Sequence, residues 1–354
     1  MLDFIIVGRG LAATTLAHTF HKQELSFKLI GSENLSTCSK VAAGIWNPIV
    51  FKRLTKSWLA DALVPYLNAF YSECELRIGK KLITQRSIIK PFSEDQEKEL
   101  WIKKARTELE NFLEEKIHVA FEEKLRHFKI TDDYGLVKNS GNLNVADFIE
   151  ASSFFFKEKV SDEIFDYGQL TISDTKVIYK NLEATNIIFC EGYLVKDNPW
   201  FHWIPLKPAK GEILTIHAPE LRLKNSIFNR NGFLMDVKEA TYRVGATYAW
   251  DDLSQNPTAK GLEELKIKLQ NMITCEYSVV KHEAGIRPSS SDRRPIIGSH
   301  PTHKNVHVFN GLGTKGVMLA PFFAKNYVNF YLQKEPLHKE VDIRRFYHLY
   351  GKKN

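Results

Sequence analysis

The sequence of 354 residues has only four cysteines, and no uncharged apolar run in it reaches the roughly 18 residues that a membrane-spanning helix needs. The longest candidate run, after Gly316, is interrupted by Lys325, so we expect no membrane segment. The cysteines lack the paired spacings of a zinc site or a redox motif. We therefore predict no metal site and expect reduced thiols in a cytoplasmic protein. They are Cys38, Cys74, Cys190 and Cys275.

The positive charge of the chain is small and spread out. The net charge is +7, and basic residues are scattered through 80–104 and 334–353 rather than gathered in one tract. This pattern favours solvated faces over a dedicated nucleic-acid surface. No basic stretch precedes the apolar start of the chain, so we do not interpret that start as a signal peptide. The length suits two intertwined domains.

A glycine-rich turn lies near each end of the chain. The first turn consists of Gly8, Arg9, Gly10, Leu11, Ala12 and Ala13. It follows the apolar residues 4–7 and precedes a helical pattern that runs to about residue 21. Its two glycines let the backbone approach a diphosphate, Ala13 takes the third small position, and the first helical amides point at the same group. We predict a dinucleotide-binding turn here.

One expected part of such a site is missing. A dinucleotide site usually has an acidic residue about 20 positions further on, at the end of the second strand, where it binds the ribose. Here the predicted strand at 26–30 is followed by Gly31, Ser32 and Glu33. Three interpretations stay open: the ribose is bound by Glu33, by Ser32 or by backbone groups.

The second glycine turn suggests that two distant segments close one nucleotide site. It consists of Gly311, Leu312, Gly313, Thr314, Lys315 and Gly316, it follows the apolar residues 306–309, and a helix begins near Val317. Two further segments suit close approach to a flat ligand. One is the small-residue loop at 36–49, with Ala43 and Gly44, and the other is the predicted strand at 186–190, which runs into Gly192.

The remaining patterns divide the chain into an α/β frame and a strand-rich middle. Helical spacing covers 57–79 and 142–156, and the charged stretch 94–121 is predicted as one long helical outer cap. Strand patterns occupy 212–216, 226–228, 232–237 and 241–246, and a helix follows at about 261–272.

Several strings resemble, in order, the D-amino-acid oxidase / glycine oxidase family of FAD-dependent enzymes. Beside the first glycine turn they are residues 42–48, 205–212, 285–288 and 310–321. The resemblance implies FAD, an α/β fold with a Rossmann-like FAD-binding domain of the glutathione-reductase type, and an inserted α+β substrate domain built on an antiparallel sheet. We assign the segments as follows: FAD-binding domain, 1–75, 140–200 and 280–335; substrate domain, 76–139 and 201–279; C-terminal tail, 336–354.

The same resemblance implies site residues. Arg287, in a Gly-x-Arg-Pro string, is expected to bind a substrate carboxylate, because a guanidinium matches a carboxylate bidentately; the alternative is a structural ion pair with Asp292 or Glu283. Lys315 is expected to place a cation at the flavin, or else to be a solvated turn lysine. Several relatives have a tyrosine where this chain has Phe233. Tyr248 and Trp250 are then candidates to line the pocket, with core positions as the alternative.

These features leave three functions open. The first is oxidation of a carbon–nitrogen bond in a small amino acid or secondary amine, with hydride transfer to the flavin. The second is oxidation of a carboxymethylaminomethyl-type uridine in tRNA, because residues 310–321 and the missing ribose acid also resemble the oxidase domain of the bifunctional tRNA-wobble-uridine enzyme. The third is an FAD-containing binding subunit without catalysis. The sequence does not fix the oligomeric state.

Overall fold

A computed structural model describes residues 1–35, 38–119, 125–130 and 133–352. The α-helices in these residues are α1 Leu11–Lys22, α2 Cys38–Val41, α3 Ala60–Ile78, α4 Asp95–Ala105, α5 Val145–Phe155, α6 Ala259–Gln270 and α7 Gly316–Tyr331. The strands are β1 Leu2–Val7, β2 Phe27–Ile30, β3 Ile45–Trp46, β4 Ile49–Val50, β5 Thr55–Lys56, β6 Ile83–Gln85, β7 Ser87–Pro91, β8 His118–Val119, β9 Asp133–Val137, β10 Gly141–Leu143, β11 Val160–Ser161, β12 Leu170–Ile172, β13 Val177–Tyr179, β14 Leu182–Phe189, β15 Ala209–His217, β16 Ser226–Asn229, β17 Phe233–Lys238, β18 Thr241–Gly245, β19 Ser278–Arg287, β20 Ile296–Ser299 and β21 Val306–Asn310.

The first sheet has a parallel centre that is buried on both faces, with β12, β13 and β20 added antiparallel. Strands β11, β2, β1, β14 and β21 lie parallel in that order, and the first half of β14 also pairs antiparallel with β13. Phe4 and Ile6 pack toward helices α1 and α7, whereas Ile5 and Val7 belong to the core of the opposite face. This explains why β1 is apolar without alternation. The helices α1 and α7 start at the carboxyl ends of β1 and β21, so both N-termini point to one edge.

The second sheet covers that edge. Its strands lie in the order β19, β15, β18, β17, β16, β7, β9, β8, and the neighbours are antiparallel except for β16 and β7. Helix α6 packs on this sheet through Leu265 and Leu269. The predicted combination of a Rossmann-like domain and an inserted antiparallel sheet is confirmed. Strand β19 crosses the domain boundary that we predicted at residue 280.

The long helix predicted for 94–121 is wrong in its extent. Helix α4 ends at Ala105, the chain then turns, and β8 pairs with β9 at residues 118–119; residues 120 and 121 lie outside the described part. Charged residues at helical spacing are compatible with a longer helix. However, Leu109 and Phe112 are buried in the main core, and this tertiary packing outweighs the local helical preference. The segment is therefore not a purely outer cap.

The residues that we assigned to a C-terminal tail pack against the first sheet. Leu337, Val341 and Ile343 are buried, and Ile297 of β20 bridges Asp342. Within the described part of the chain, no helix is long and apolar enough to cross a membrane.

Candidate active site

A cavity of about 770 Å³ lies between the carboxyl edge of the parallel sheet and the second sheet. The ends of β1, β2 and β14 and the first turns of α1 and α7 line one side. Strands β15, β17, β18 and β19 contribute the other side. Binding at the carboxyl edge of such a sheet is general for α/β folds, and the volume lies in the range of about 300–1,000 Å³ usual for ligand sites.

The first glycine turn forms a cradle that larger residues would fill. Gly8 has φ +115°, and a Cβ there would lie 2.5 Å from the carbonyl oxygen of Cys190. A Cβ at Gly31, directly after β2, would lie 2.9 Å from the Cβ of Arg9 and 3.0 Å from the carbonyl carbon of Gly8. Gly10 is the N-cap of α1 and lines the cavity, as do Leu11 and Ala12. The first amides of a helix have no intrahelical acceptor, so this end of α1 is suited to an anion.

The structure around residues 31–33 distinguishes Ser32 from Glu33 as candidates for binding the ribose. Ser32 lines the cavity and its hydroxyl accepts a hydrogen bond from the amide of Asn34. The Glu33 carboxylate instead pairs with Arg9, and 64% of its side chain is exposed. Arg9 also pairs with Asp162 at 3.2 Å. Glu33 does not line the cavity, and its carboxylate is held by Arg9; Ser32 and backbone groups are better placed for the ribose.

The second glycine turn borders the same cavity, with its last glycine beside the first turn of α1. Gly313, Thr314, Gly316 and Val317 line it, and Gly313 has φ +56°. Three other predicted cofactor contacts also line it, namely Ala43, Gly44 and Gly192. Two more do not: Gly311 shapes the turn with φ +75°, and Ala13 is fully buried in the core. Both therefore support the turns from behind.

These features fit the FAD that the sequence resemblance implies. A glycine cradle and the N-terminus of α1 suit a diphosphate, and the N-terminus of α7 borders the same continuous cavity close by, since a Cβ at Gly316 would lie 3.2 Å from the side chain of Leu11. Such a cavity accommodates an elongated dinucleotide. When bound, the cofactor would supply the acceptor for a hydride.

Arg287 lies in the wall formed by the second sheet. Its Nη1 donates to the carbonyl oxygens of Lys210 and Thr247, each at 3.3 Å. Within the described residues, no carboxylate lies within 4.0 Å of it. Burial lowers the pKa of the guanidinium below its ordinary value. Asp292 pairs with Arg345 and Glu283 with Lys281, so the ion-pair alternative is not found.

Two aromatic residues complete this wall. The guanidinium carbon of Arg287 lies 4.3 Å from the ring centroid of Tyr248. Tyr248 lines the cavity and is 49% exposed, so it lies at the mouth. Phe233 also lines the cavity and packs against Gly245, where a Cβ would lie 2.8 Å from its ring.

Lys315 is neither solvated nor directed into the cavity. Its ammonium donates to the hydroxyl of Ser57, and Lys315 is not among the lining residues. Burial, with a smaller contribution from Arg294, lowers its pKa to about 8. The Lys315 side chain therefore lies behind the second glycine turn and not in the cavity, where the sequence suggested it.

The lowered pKa of Lys315 has a consequence for stability. The folded-state pKa of about 8 lies below the ordinary 10.5, so the unfolded chain binds more protons between these values, and stability rises with pH there. We expect Lys315→Met to be more stable than the parent at pH 7 by about 1–3 kcal/mol, at 1.36 kcal/mol per pKa unit reduced for partial solvent screening. This difference should shrink by pH 10.

Denaturant unfolding of both proteins at pH 7, 8.5 and 10 measures that difference. The control is Lys339→Met, which replaces an exposed lysine further along the chain. The control should differ from the parent by less than about 0.5 kcal/mol at every pH. A Lys315→Met difference that stays constant with pH would contradict the assignment.

The sequence did not reveal several residues that shape the site. Gly211 is one, because any Cβ there would overlap the guanidinium of Arg287. Glu191 is another: it lines the cavity, and its carboxylate accepts hydrogen bonds from the Tyr167 hydroxyl and the Asn198 amide, each at 2.7 Å. Burial raises the pKa of Glu191 to about 7. A polar residue directly after an apolar strand was the available signal for Glu191.

Comparisons with known proteins agree with this fold. A family model described as FAD dependent oxidoreductase matches residues 3–329. The crystal structure of iminodiacetate oxidase from Chelativorans sp. BNC1 superposes with a TM-score of 0.79 at 15% identity, covering 96% of this chain and 98% of that one. This likeness concerns the fold.

The curated relatives match over shorter segments. Glycine oxidase of Bacillus subtilis (strain 168) is 30% identical over 116 residues, which is 32% of this chain and 31% of the relative. A tRNA 5-methylaminomethyl-2-thiouridine biosynthesis bifunctional protein of Marinobacter nauticus is 24% identical over 161 residues, 41% of this chain and 26% of the relative. The matches thus span about a third or less of these relatives. The family model covers nearly the whole chain, and the chain belongs to the D-amino-acid oxidase family of FAD-dependent oxidoreductases.

Proposed function

We propose that this FAD-dependent enzyme oxidises the carbon–nitrogen bond of a small amine that carries a carboxylate, either an amino acid or a secondary amine derived from one. The observation that carries the proposal is Arg287: a guanidinium in the cavity wall with no acidic partner among the described residues. A mostly buried cation without a counter-charge is costly, so a site that retains one is suited to bind an anion.

The surrounding residues would orient the substrate. Two-point binding of the carboxylate by Arg287 fixes the neighbouring carbon, and the Tyr248 ring holds the guanidinium plane from one side. Phe233 and Ile213 present apolar surface next to Arg287 and exclude water from the reacting carbon. Phe233 has no hydroxyl, so it contributes no proton transfer. Cofactor-binding roles go to the lining residues of both glycine turns and to Ser32.

Anaerobic reduction of the bound flavin tests the proposal. Glycine, sarcosine, iminodiacetate and proline would each be mixed with the purified holoenzyme without oxygen, and loss of the flavin's visible absorbance would be followed. At least one carboxylate amine should bleach the flavin, and the matching amine without a carboxylate should be far slower. Equal rates of flavin reduction by an amine with a carboxylate and by the matching amine without one would contradict the role of Arg287.

A second candidate is oxidation of a carboxymethylaminomethyl uridine in tRNA. It is supported by the resemblance of residues 310–321 and by the similarity to the Marinobacter nauticus protein. Such a substrate also presents a carboxylate beside a secondary amine. It requires turnover on tRNA that rising salt suppresses, because phosphate contacts release counterions. The third possibility, a silent binding subunit, gives no reason for the unpaired Arg287.

A further inference from the structure

The segment 246–256 forms the mouth of the cavity on the side of Arg287. Ala246 and Tyr248 line the cavity, and Trp250 continues outward with 65% of its surface exposed. The ring centroids of Tyr248 and Trp250 are 6.1 Å apart with an interplanar angle of 30°. The rings of Tyr248 and Trp250 therefore lie next to each other, the first at the mouth of the cavity and the second further out.

Polar contacts hold this segment in place. The ammonium of Lys210, which is 1% exposed, donates to Asp252 at 2.6 Å and to Ser254 at 3.0 Å. The backbones of Lys210 and Ala249 exchange two hydrogen bonds. Gln255 donates to the hydroxyl of Tyr193, which itself lines the cavity. Trp250 is thus exposed although the segment that carries it is held in place by these contacts.

The position of the Tyr248 and Trp250 rings at the mouth suits them to contact a bound substrate. One face of Tyr248 is covered by the guanidinium of Arg287, so a carboxylate bound by Arg287 lies close to the Tyr248 ring, and Trp250 is the next ring outward, 6.1 Å from Tyr248. Trp250 contributes a large apolar area, 65% of which is exposed. Planar rings bind such faces by offset stacking, which adds to the effect of buried area.

We infer that Tyr248 and Trp250 form an aromatic subsite for a planar ring carried on the substrate's amine nitrogen. The inference rests on the proposed function, because it places the carboxylate on Arg287. The ring is an aryl or heteroaryl group, either of a free secondary amine or of a nucleobase within an RNA. In both cases the ring stacks at the mouth while the amine and its neighbouring carbon enter the cavity.

Binding of redox-inert analogues tests the subsite without turnover. Methoxyacetate and benzyloxyacetate replace the amine by an ether and differ by the planar ring; cyclohexylmethoxyacetate offers similar bulk without planarity. Calorimetry on the holoenzyme should give a dissociation constant for benzyloxyacetate at least about tenfold below that for methoxyacetate. The cyclohexyl analogue should gain much less.

Substitutions test whether Trp250 provides the tighter binding of benzyloxyacetate. Trp250→Ala should weaken benzyloxyacetate about tenfold, or 1.4 kcal/mol, and leave methoxyacetate within about twofold. Leu253→Ala, which removes another exposed apolar side chain of the same segment, is the control and should change neither. Equal binding of benzyloxyacetate and methoxyacetate would overturn the subsite while keeping the Arg287 site. Failure of all three analogues to bind would overturn the proposed function as well.

Two further ligands distinguish a free amine from an RNA as the molecule that carries the ring. Carboxymethylaminomethyl uridine would be compared with an RNA stem-loop that carries it, by competition against benzyloxyacetate. Competition by both with similar affinity supports a free substrate, and competition by the stem-loop alone supports RNA. Competition by neither, with benzyloxyacetate bound in a Trp250-dependent manner, supports an aryl amine other than this nucleoside.

Discussion

Replacing Arg287 by alanine should lower kcat/KM for a carboxylate amine by about 30- to 4,000-fold. Removing one partner of a buried, hydrogen-bonded charge pair costs about 2–5 kcal/mol, and each 1.4 kcal/mol is a factor of ten. Most of the effect should appear in KM, with FAD still bound, because the side chain lies in the wall built by the second sheet. Arg287→Lys should recover little, since an ammonium does not bind both oxygens in a fixed plane.

Stability separates this role from a structural one. Arg287 makes two long hydrogen bonds to carbonyl oxygens and no ion pair among the described residues, and burial disfavours its charge. The alanine variant should therefore keep, or slightly raise, the free energy of unfolding. Arg345→Ala is the matched control, because it removes the partner of Asp292 and should leave kcat/KM nearly unchanged. An unaltered KM in Arg287→Ala, or the loss of folding, would refute the assignment.

The parts of the site that could be predicted are those that depend on neighbouring residues in the chain. The first glycine turn follows an apolar strand and precedes α1, and this local order was visible in residues 4–22. The second sheet was also visible, because β15, β17 and β18 carry β-branched and aromatic residues, which favour strands. Helix α4 was overextended because its charged continuation fits helical spacing equally well.

The parts that could not be predicted depend on contacts between distant segments. Lys315 turns toward Ser57, which lies 258 positions earlier in the chain. Gly211 matters because Arg287, which pairs with Ala209 across the strands β15 and β19, extends its guanidinium over Gly211, and no local pattern shows that contact. Likewise, the exposed position of Trp250 depends on Lys210, a buried lysine in another strand. Side-chain direction and cross-strand neighbours are tertiary properties.

Replacing Gly10 by alanine should weaken FAD binding by at least about 100-fold. Gly10 caps α1 and lines the cavity at the first turn of the helix, where the backbone amides have no intrahelical acceptor and that of Leu11 donates to the hydroxyl of Ser39 at 3.1 Å. A methyl group there holds the phosphates away from the first turn. Loss of two hydrogen bonds to a charged group, at about 1.5–3 kcal/mol each, accounts for an effect of this size. Fluorescence titration of the flavin-free protein with FAD measures it.

The control is a glycine whose role is conformational. A Cβ at Gly10 meets mainly the hydroxyl of Ser39, at 3.2 Å, so the flavin-free Gly10→Ala protein should keep nearly its parent stability. Gly79 ends α3 with φ +73° and has nothing within 4 Å, so Gly79→Ala should lose about 1–2 kcal/mol of stability and keep its FAD affinity. The two substitutions thus separate a ligand contact from backbone strain. If Gly10→Ala bound FAD as the parent does, the diphosphate would have to lie away from the start of α1, and the cavity would need another occupant.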